Sequence, residues 1–237
     1  MSGSVVQPAA RKRPIRVLLV DDHRLTAEMI RVVLDRAGME VVGMAYRLAD
    51  VGPMLTGAPA HVALVDSGMP DGRGSQAIRE IRRGWPTCRC VLLTGYADPD
   101  IAEEAIGAGA DGVMLKDIGV DELVDIVRHA AAGHVLLAES VLASLVERTG
   151  DPPRHRPLKP LTDRERTVLE VLLTVGDTEV AASRLGITES TYRVHLHHAM
   201  RKLGAEGRLQ AISLALRAGL IRPPDALFHR SAGDQDP

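Results

Sequence analysis

The sequence predicts a doubly wound α/β domain with a five-stranded parallel sheet, followed by a smaller all-helical domain. Five short apolar runs alternate with segments of helical periodicity within about 120 residues, a pattern typical of parallel sheets with helices on both faces. A Pro-rich basic segment without periodicity then precedes a region of helical spacing only. These features give an N-terminal tail at 1–14, the α/β domain at 15–134, a linker helix and Pro-rich linker at 135–160, the helical domain at 161–221 and a C-terminal tail, expected to be disordered, at 222–237.

The elements of the α/β domain follow from apolar spacing. Continuous runs of Val, Leu and Ile predict buried strands, whereas apolar residues three and four apart, as at Leu25, Met29 and Val33, predict helices. Asp98 followed by Pro99 is typical of a helix start. The predicted strands are 16–20, 41–45, 62–65, 91–93 and 113–115, and the predicted helices are 24–37, 49–55, 76–82, one that begins at Asp98–Pro99, and 121–132.

Three glycines, Gly107, Gly109 and Gly112, spell the G-x-G-x-x-G pattern of dinucleotide-binding folds. In those folds the pattern follows a strand and opens a helix. Here it follows a predicted helix and precedes a predicted strand, so we interpret it as a helix stop and a tight turn.

The helical domain begins with a capping box, in which Thr162 is the N-cap and Glu165 the third helical residue. Its first helix runs to about residue 175, and a helix at 138–146 precedes the linker. Helices at 178–185 and from 188 or 189 to 203, joined by a tight turn at Gly186, have the pattern of a helix-turn-helix. A last helix covers 208–218.

Charge is divided between the two halves of the chain. Residues 15–147 carry 12 Lys and Arg against 20 Asp and Glu, a net −8, whereas residues 154–222 carry 12 against 7, a net +5. This asymmetry predicts different partners for each half. The only cysteines, Cys88 and Cys90, suit small core residues in a reducing cytoplasm better than a zinc site or a disulfide framework. Because no apolar run is long enough for a signal peptide or membrane span, we expect a cytoplasmic protein.

Polar residues stand at the carboxyl ends of four predicted strands: Asp21–Asp22, Asp66, Thr94 and Lys116. Parallel strands bring these ends to one edge of the sheet, where open α/β folds place their chemistry. Clustered carboxylates need a cation, and oxygen ligands at an open edge suit Mg²⁺. Asp66 precedes a turn-rich segment and is therefore the most accessible nucleophile for a phosphoryl group. Lys116 and Thr94 would contact the oxygens of the new phosphate.

The sequence resembles a known family at this point. Residues 18–22 (LLVDD), 65–74 (VDSGMPDGRG), 92–95 (LLTG) and 109–117 (GADGVMLKD) resemble the receiver domain of two-component response regulators, which has a flavodoxin-like fold. Residues 161–173, 188–204 and 208–221 resemble the LuxR-type helix-turn-helix, and together they resemble a NarL/FixJ-type response regulator. The resemblance implies phosphoryl transfer from a sensor histidine kinase to Asp66, a Mg²⁺ ion held by Asp21, Asp22, Asp66 and the backbone carbonyl of Gly68, and binding of promoter DNA as a homodimer.

The chain departs from this family at three places. Val113 occupies the position, three residues before the pocket lysine, where the family usually has a switch Tyr or Phe. The segment 176–186 is one residue short after Gly176 and lacks the usual Asn-Lys-Glu run. Tyr192 replaces a common valine. These differences concern transmission of the signal, the length of the first helix of the helix-turn-helix, and the register on DNA.

The third helix of the helical domain supplies the predicted DNA contacts. Arg193, Val194 and His197 lie where the family reads bases, and Arg can pair with guanine while Val contacts a thymine methyl. Thr191, Arg201, Lys202 and Arg184 are predicted phosphate contacts. His195 and His198 lie three apart, but the sequence provides no third ligand for a metal. Dimerisation is expected through a stripe of small and apolar residues on the last helix: Ala211, Leu214, Ala215 and Ala218.

Two other functions compete with a phosphorylation-controlled transcription regulator. Aspartyl-phosphate hydrolases of the haloacid dehalogenase type use D-x-D, and Gly68 stands where the second aspartate is needed. A regulator independent of phosphate, with its α/β domain as a dimerisation or ligand-sensing module, is favoured by Val113 and opposed by the intact set of strand-end residues. At most, the chain catalyses phosphoryl transfer to and from its own Asp66, and it is not otherwise an enzyme.

Overall fold

The computed structural model of the chain describes residues 13–147 and 160–222. Most of the predicted N-terminal tail, the linker segment 148–159 and the C-terminal tail beyond residue 222 lie outside the described residues. Of the helices in the described part of the chain, none has the length and apolar character needed to cross a membrane.

The α/β domain is built on one sheet of parallel strands with the order β2-β1-β3-β6-β7-β8. The strand order reverses next to β1, so the carboxyl ends of β1 and β3 open onto a crevice. A small antiparallel hairpin, β4–β5, follows β3 directly. The strands are β1 (Arg16–Val20), β2 (Glu40–Ala45), β3 (Val62–Asp66), β4 (Gly68–Met69), β5 (Gly72–Arg73), β6 (Arg89–Thr94), β7 (Gly112–Leu115) and β8 (Leu136–Leu137).

The prediction of five strands is corrected to six in this sheet. The additional strand, β8, was assigned from sequence to the linker segment, since two residues are too few to show a strand period. It forms because the preceding helix ends at Gly133, which has a φ of +86° and turns the chain back. The N–H of Ala138 then donates to the carbonyl of Val113 at 3.0 Å.

The predicted helices are confirmed with small changes of length. The side chain of Asp98 accepts hydrogen bonds from the N–H groups of Asp100 and Ile101, as its N-cap position predicts. Gly107 ends a helix, Gly109 has a φ of +98°, and Gly112 begins β7, so these glycines form a helix stop and turn. The helices are α1 (Arg24–Arg36), α2 (Val51–Met54), preceded by a 3₁₀ turn (Leu48–Asp50), α3 (Gly74–Gly84), α4 (Pro99–Gly107), α5 (Val120–Ala132) and α6 (Glu139–Glu147).

The sheet separates two aliphatic cores. On one face, Ala63 and Leu92 of the sheet pack with Ile78 of α3 and Ala102 of α4. On the other face, residues of β1 and β3 pack with α1 and α5. Burial on both faces fixes the register of each strand, so the residues at the strand ends have fixed neighbours.

The helical domain contains α7 (Asp163–Val175), α8 (Thr178–Arg184), α9 (Glu189–Leu203) and α10 (Arg208–Arg217). The capping box of Thr162 and Glu165 is confirmed. Helix α8 has only seven residues, and the side chain of Asp177 caps it by accepting from the N–H of Val180 at 2.6 Å. Helices α8 and α9 form the predicted helix-turn-helix around Gly186.

Helix α10 joins the two domains. It packs on α4 and α6 as well as on α7 and α9, and Leu209 belongs to the core of the α/β domain. Ala211 and Ala215, predicted from the helical stripe to face a second copy, are instead fully buried within this chain, in the core of the helical domain. The periodicity identified an apolar face correctly, but the covering surface comes from the same chain.

Candidate active site and nucleic-acid interface

The strand ends predicted to converge do so around Asp66. Lys116, which follows β7, places its Nζ 2.7 Å from Oδ2 of Asp66 and 3.0 Å from Oδ2 of Asp21. Asp66 and Asp21 are only 6% and 4% exposed, whereas Asp22 is partly exposed at the opening. One ammonium therefore bridges two nearly buried carboxylates that come from neighbouring strands.

His23 also belongs to this cluster and was not predicted from the sequence. Its Nδ1 lies 2.8 Å from Oδ1 of Asp22, 3.3 Å from Oδ1 of Asp21 and 3.8 Å from Oδ2 of Asp66. The only signal in the sequence is its position directly after the two aspartates. Ligand atoms of Asp21, Asp22, His23 and Asp66 all lie within 4.8 Å of one another, so this group has the donors and the spacing to hold one metal ion.

Burial and charge act in opposite directions in this pocket. Burial raises the pKa of Asp66, and the hydrogen bond and charge of Lys116 offset part of that rise. Burial also disfavours the charged form of Lys116, but its hydrogen bonds to Asp66 and Asp21 outweigh this and raise the pKa of the ammonium. Lys116 is consequently a permanent cation beside Asp66 at neutral pH.

The segment after Asp66 is held close to the pocket. The N–H of Gly68 donates to Oδ1 of Asp66 at 3.4 Å, and the N–H of Ser67 donates to the carbonyl of Leu93 at 2.9 Å. A side chain at Gly74 would overlap the carbonyl oxygen of Asp66, so glycine is required where the chain returns to begin α3. The result is a narrow loop with backbone groups beside the carboxylate.

Thr94 lies at the end of β6 and is almost fully buried. Its hydroxyl donates to the backbone carbonyl of Tyr96 at 3.1 Å and accepts from the N–H of Tyr96 at 3.4 Å. The Tyr96 side chain projects into solvent. Val113, at the position of the family's switch aromatic, is fully buried in the core between the sheet, α3 and α4. In this conformation Thr94 thus binds the loop that leads to α4.

Six of the seven residues predicted to contact DNA are exposed, five of them on α9 and one, Arg184, at the end of α8. Arg193 is exposed and forms an ion pair with Glu189 at 2.5 Å, and Val194 is 52% exposed. The exposed members of the predicted set are Arg184, Thr191, Arg193, Val194, His197 and Arg201.

Lys202, the seventh predicted contact, has a different environment. Its Nζ lies 2.7 Å from Oε2 of the nearly buried Glu165, which also accepts from the backbone N–H of Thr162 at 2.8 Å. Tyr192, at the position where valine is common, is fully buried, and its hydroxyl donates to the carbonyl of Val168 at 2.6 Å. Tyr192 therefore joins α9 to α7 within the core of the helical domain.

Two protein families match this chain, one over the α/β domain and one over the helical domain. Residues 17–128 match the response regulator receiver domain, and residues 159–215 match the bacterial regulatory proteins of the luxR family. The first match contains every strand-end residue of the pocket. The second contains α7, α8 and α9.

Relatives share both parts. The DNA-binding transcriptional activator DevR/DosR of Mycobacterium tuberculosis is 34% identical over 89% of this chain and 98% of its own length. The nitrate/nitrite response regulator protein NarP of Escherichia coli is 32% identical over 86% of this chain and 95% of its own. Among solved structures, the RcsB response regulator of Salmonella typhimurium is similar with a TM-score of 0.52 at 25% identity, covering 85% of this chain and 97% of that one.

Proposed function

Because this chain belongs to the response regulators that join a receiver domain to a LuxR-type DNA-binding domain, we propose that it accepts a phosphoryl group on Asp66 and then binds promoter DNA as a dimer. The observation that carries this proposal is the contact of the Lys116 ammonium with both Asp66 and Asp21. The pairing brings a nucleophilic carboxylate, a fixed cation and further acidic ligands to one open edge of the sheet. We infer that the protein acts in the cytoplasm, where the kinase domain that donates the phosphoryl group and the DNA are both present.

The phosphoryl donor is the phosphohistidine of a sensor histidine kinase. A carboxylate oxygen of Asp66 forms a bond to phosphorus while the bond from phosphorus to the donor imidazole nitrogen breaks, and the imidazole takes up a proton. Lys116 already lies beside the acceptor and neutralises charge on the transferred group. The Thr94 hydroxyl, now directed at the backbone of Tyr96, turns to donate to a phosphoryl oxygen.

The acidic residues fit a Mg²⁺ ion. The carboxylates of Asp21, Asp22 and Asp66 offer hard oxygen donors within 4.8 Å of one another, as Mg²⁺ prefers. Asp22 and Asp66 would be direct ligands with the Gly68 carbonyl, and Asp21 would hold the outer side. When bound, the ion offsets negative charge on the transferred phosphoryl group.

The helical domain is the DNA-binding part. Residues 154–222 carry a net +5, of which the helical domain at 161–221 contributes +1 and the flanking residues the rest. The exposed α9 face presents Arg193, Val194 and His197 for insertion in the major groove. The relative DevR/DosR is itself described as a DNA-binding transcriptional activator, which supports the same activity here. Since Ala211 and Ala215 lie in the core of the helical domain, they are not available to a second copy. A dimer formed through α10 would instead use the side of this helix that packs on the receiver domain, where Leu209 lies, once the two domains separate.

The contacts of α4 support control by phosphorylation. Glu103 forms an ion pair with Arg217 of α10, whereas the adjacent Glu104 contacts Arg73 and Ser75 beside the pocket. Movement of Thr94 changes the loop that leads into α4. The same helix therefore touches both the phosphorylation loop and the DNA-binding domain.

A specific observation favours a second function. Val113 is buried and lacks the aromatic ring that would fill the space left by Thr94, which favours a regulator whose DNA binding does not depend on phosphate. The deciding experiment incubates the full chain with acetyl phosphate and Mg²⁺, follows mobility on Phos-tag gels, and measures promoter DNA affinity before and after. The main proposal expects incorporation that Asp66→Ala abolishes and an affinity that rises on phosphorylation. Normal incorporation by Asp66→Ala would refute the assignment, and an unchanged affinity would favour the second function.

A further inference from the structure

We propose that Asp71 is a positioning residue for the phosphorylation pocket, which fixes the hairpin carrying Gly68 and so prepares the metal site. The inference rests on the proposed function, because it concerns the Mg²⁺ ion that phosphoryl transfer to Asp66 requires. Asp71 itself lies outside the group of residues whose ligand atoms surround the candidate metal position. Its effect is exerted through the backbone of β4–β5.

Asp71 binds a segment that is distant in sequence. Its Oδ1 accepts from the N–H of Leu48 at 2.7 Å and its Oδ2 accepts from the N–H of Ala49 at 3.1 Å. These N–H groups begin the 3₁₀ turn that follows β2, where the N-cap residue Arg47 provides no side-chain acceptor. The Asp71 carboxylate therefore caps this turn from another loop, at a helix start that favours negative charge.

The carboxylate is ionised at neutral pH. Hydrogen bonds from the backbone N–H groups of Leu48 and then Ala49 lower the pKa of Asp71, and Arg47 adds a smaller effect. The residue is exposed as a whole, and its side chain is 23% exposed. Two charge-assisted hydrogen bonds to rigid backbone donors restrict the position of the residue more than a flexible side-chain partner would.

The hairpin transmits this restraint to Gly68. Strands β4 and β5 have two residues each and pair Gly68 with Arg73 and Met69 with Gly72. A hairpin this short is not stable alone. It is held at its turn by Asp71 and at its base by the bond from the Gly74 N–H to the Ser67 carbonyl at 3.0 Å.

Loss of the restraint at the turn should loosen the hairpin without unfolding the domain. The base stays attached to the sheet, since the Ser67 N–H still donates to Leu93 of β6. Gly68 lies between the two restraints, and its N–H reaches Asp66 at 3.4 Å. Asp71 thus determines how well the Gly68 backbone is held before a metal ion binds, and residues that orient metal ligands in this way typically change metal affinity about 10- to 100-fold when replaced.

The test measures Mg²⁺ binding without phosphoryl transfer. Full-length wild type and Asp71→Ala are titrated with MgCl₂, and the rise in melting temperature gives the Mg²⁺ concentration at half effect. We expect about a tenfold or larger increase of this concentration in Asp71→Ala. Phosphorylation by acetyl phosphate should be slow at low Mg²⁺ and recover most of the wild-type rate at saturating Mg²⁺. Asp71→Asn keeps one acceptor oxygen and should give an intermediate Mg²⁺ midpoint. This variant replaces Asp71→Ala in the test if Asp71→Ala does not fold.

Asp50→Ala is the matched control. Asp50 lies in the same 3₁₀ turn and accepts from the N–H of Tyr46 at 3.3 Å, but its side chain is not bonded to the hairpin. It should lower the melting temperature and leave the Mg²⁺ midpoint unchanged. If Asp71→Ala behaves like Asp50→Ala, Asp71 is merely structural and the inference is overturned while the proposed function stands. If wild type shows neither Mg²⁺ stabilisation nor phosphorylation, the proposed function fails and the inference fails with it.

Discussion

The guanidinium of Arg217 in α10 lies 2.8 Å from the carboxylate of Glu103 in α4, and this ion pair connects the DNA-binding domain to the receiver domain. Both side chains are only about one-fifth exposed. Oε1 of Glu103 and Nε of Arg217 are buried without a hydrogen-bond partner among the described residues. The pair links the domains but is incompletely satisfied, which suits a contact that opens. Because the α9 surface stays exposed, the contact restrains α10 and not the face predicted to read DNA.

Glu103→Arg should increase DNA binding by the unphosphorylated chain. The substitution places two cations together and favours separation of α10 from α4. If the substitution removes about 1.4 kcal/mol of interaction free energy between the domains, the affinity for DNA should rise about tenfold. Fluorescence anisotropy with promoter DNA measures this affinity. Glu104→Gln is the control, since Glu104 contacts Arg73 and Ser75 within the receiver domain. Pairing Glu103→Arg with Arg217→Glu should restore the low affinity, and failure to do so would contradict the ion-pair explanation.

Val113→Tyr should increase the ratio of DNA affinities with and without phosphorylation. A valine has one stiff rotamer and too little volume to follow Thr94 when it turns to the phosphoryl group. A difference of about 1.4 kcal/mol in this coupling changes the switching ratio about tenfold. The residue is fully buried, so the larger ring also costs about 1–3 kcal/mol of stability.

Val113→Leu separates the two effects, because it adds volume without an aromatic ring. DNA affinities of all three proteins are measured before and after treatment with acetyl phosphate. A wild-type switching ratio equal to that of Val113→Tyr would show that the aromatic position has no role in this chain.

The sequence predicted the pocket well because topology alone determines where parallel strands end. Asp21, Asp66, Thr94 and Lys116 needed only the alternation of strands and helices to be placed at one edge. The capping roles of Asp98 and Thr162 could also be predicted from the sequence, since a cap is a local interaction between residues about three positions apart.

Other features depend on contacts that no local pattern contains. Pairing of Lys202 with Glu165 joins residues 37 positions apart, and spacing on α9 alone placed Lys202 on the DNA face. Burial of Ala211 follows from the packing of α10 on the other helices of its own domain. The strand β8 is two residues long and forms only because β7 offers it an edge. In each case a correct prediction required tertiary contacts between residues that are distant in the sequence.

Arg201→Ala and Lys202→Ala should differ although the residues are adjacent. Arg201 is exposed, and as a phosphate contact its removal should weaken binding to all DNA sequences and reduce the salt slope by about 1. Lys202 is bound to Glu165, so its removal should lower the melting temperature and change the salt slope little. The slope of log affinity against log salt concentration, measured for both variants, shows which of the two residues contacts DNA phosphate. Equal slopes for the two variants would show that Lys202 leaves Glu165 on DNA and contacts phosphate.

Glu165 should make the helical domain sensitive to acid. Burial raises the pKa of this carboxylate, but its bonds to Lys202 and Thr162 outweigh burial and lower the pKa overall. A carboxylate with a depressed folded-state pKa stabilises the fold above its unfolded pKa, about 4.3 for Glu, and this stabilisation is lost as the pH falls through the lower folded value.

Glu165→Gln should consequently destabilise the chain at neutral pH by about 1.5–3 kcal/mol, the range for hydrogen bonds to charged groups. The difference from wild type should shrink as the pH falls below about 4.3, because wild type then loses the same interaction. Thermal unfolding of the full chain, followed by circular dichroism between neutral and acidic pH, gives this difference directly. Glu170→Gln makes the same charge change five residues further along α7 and serves as the control. A wild-type advantage over Glu165→Gln that stays constant down to strongly acidic pH would mean that the charge of Glu165 does not provide the stabilisation.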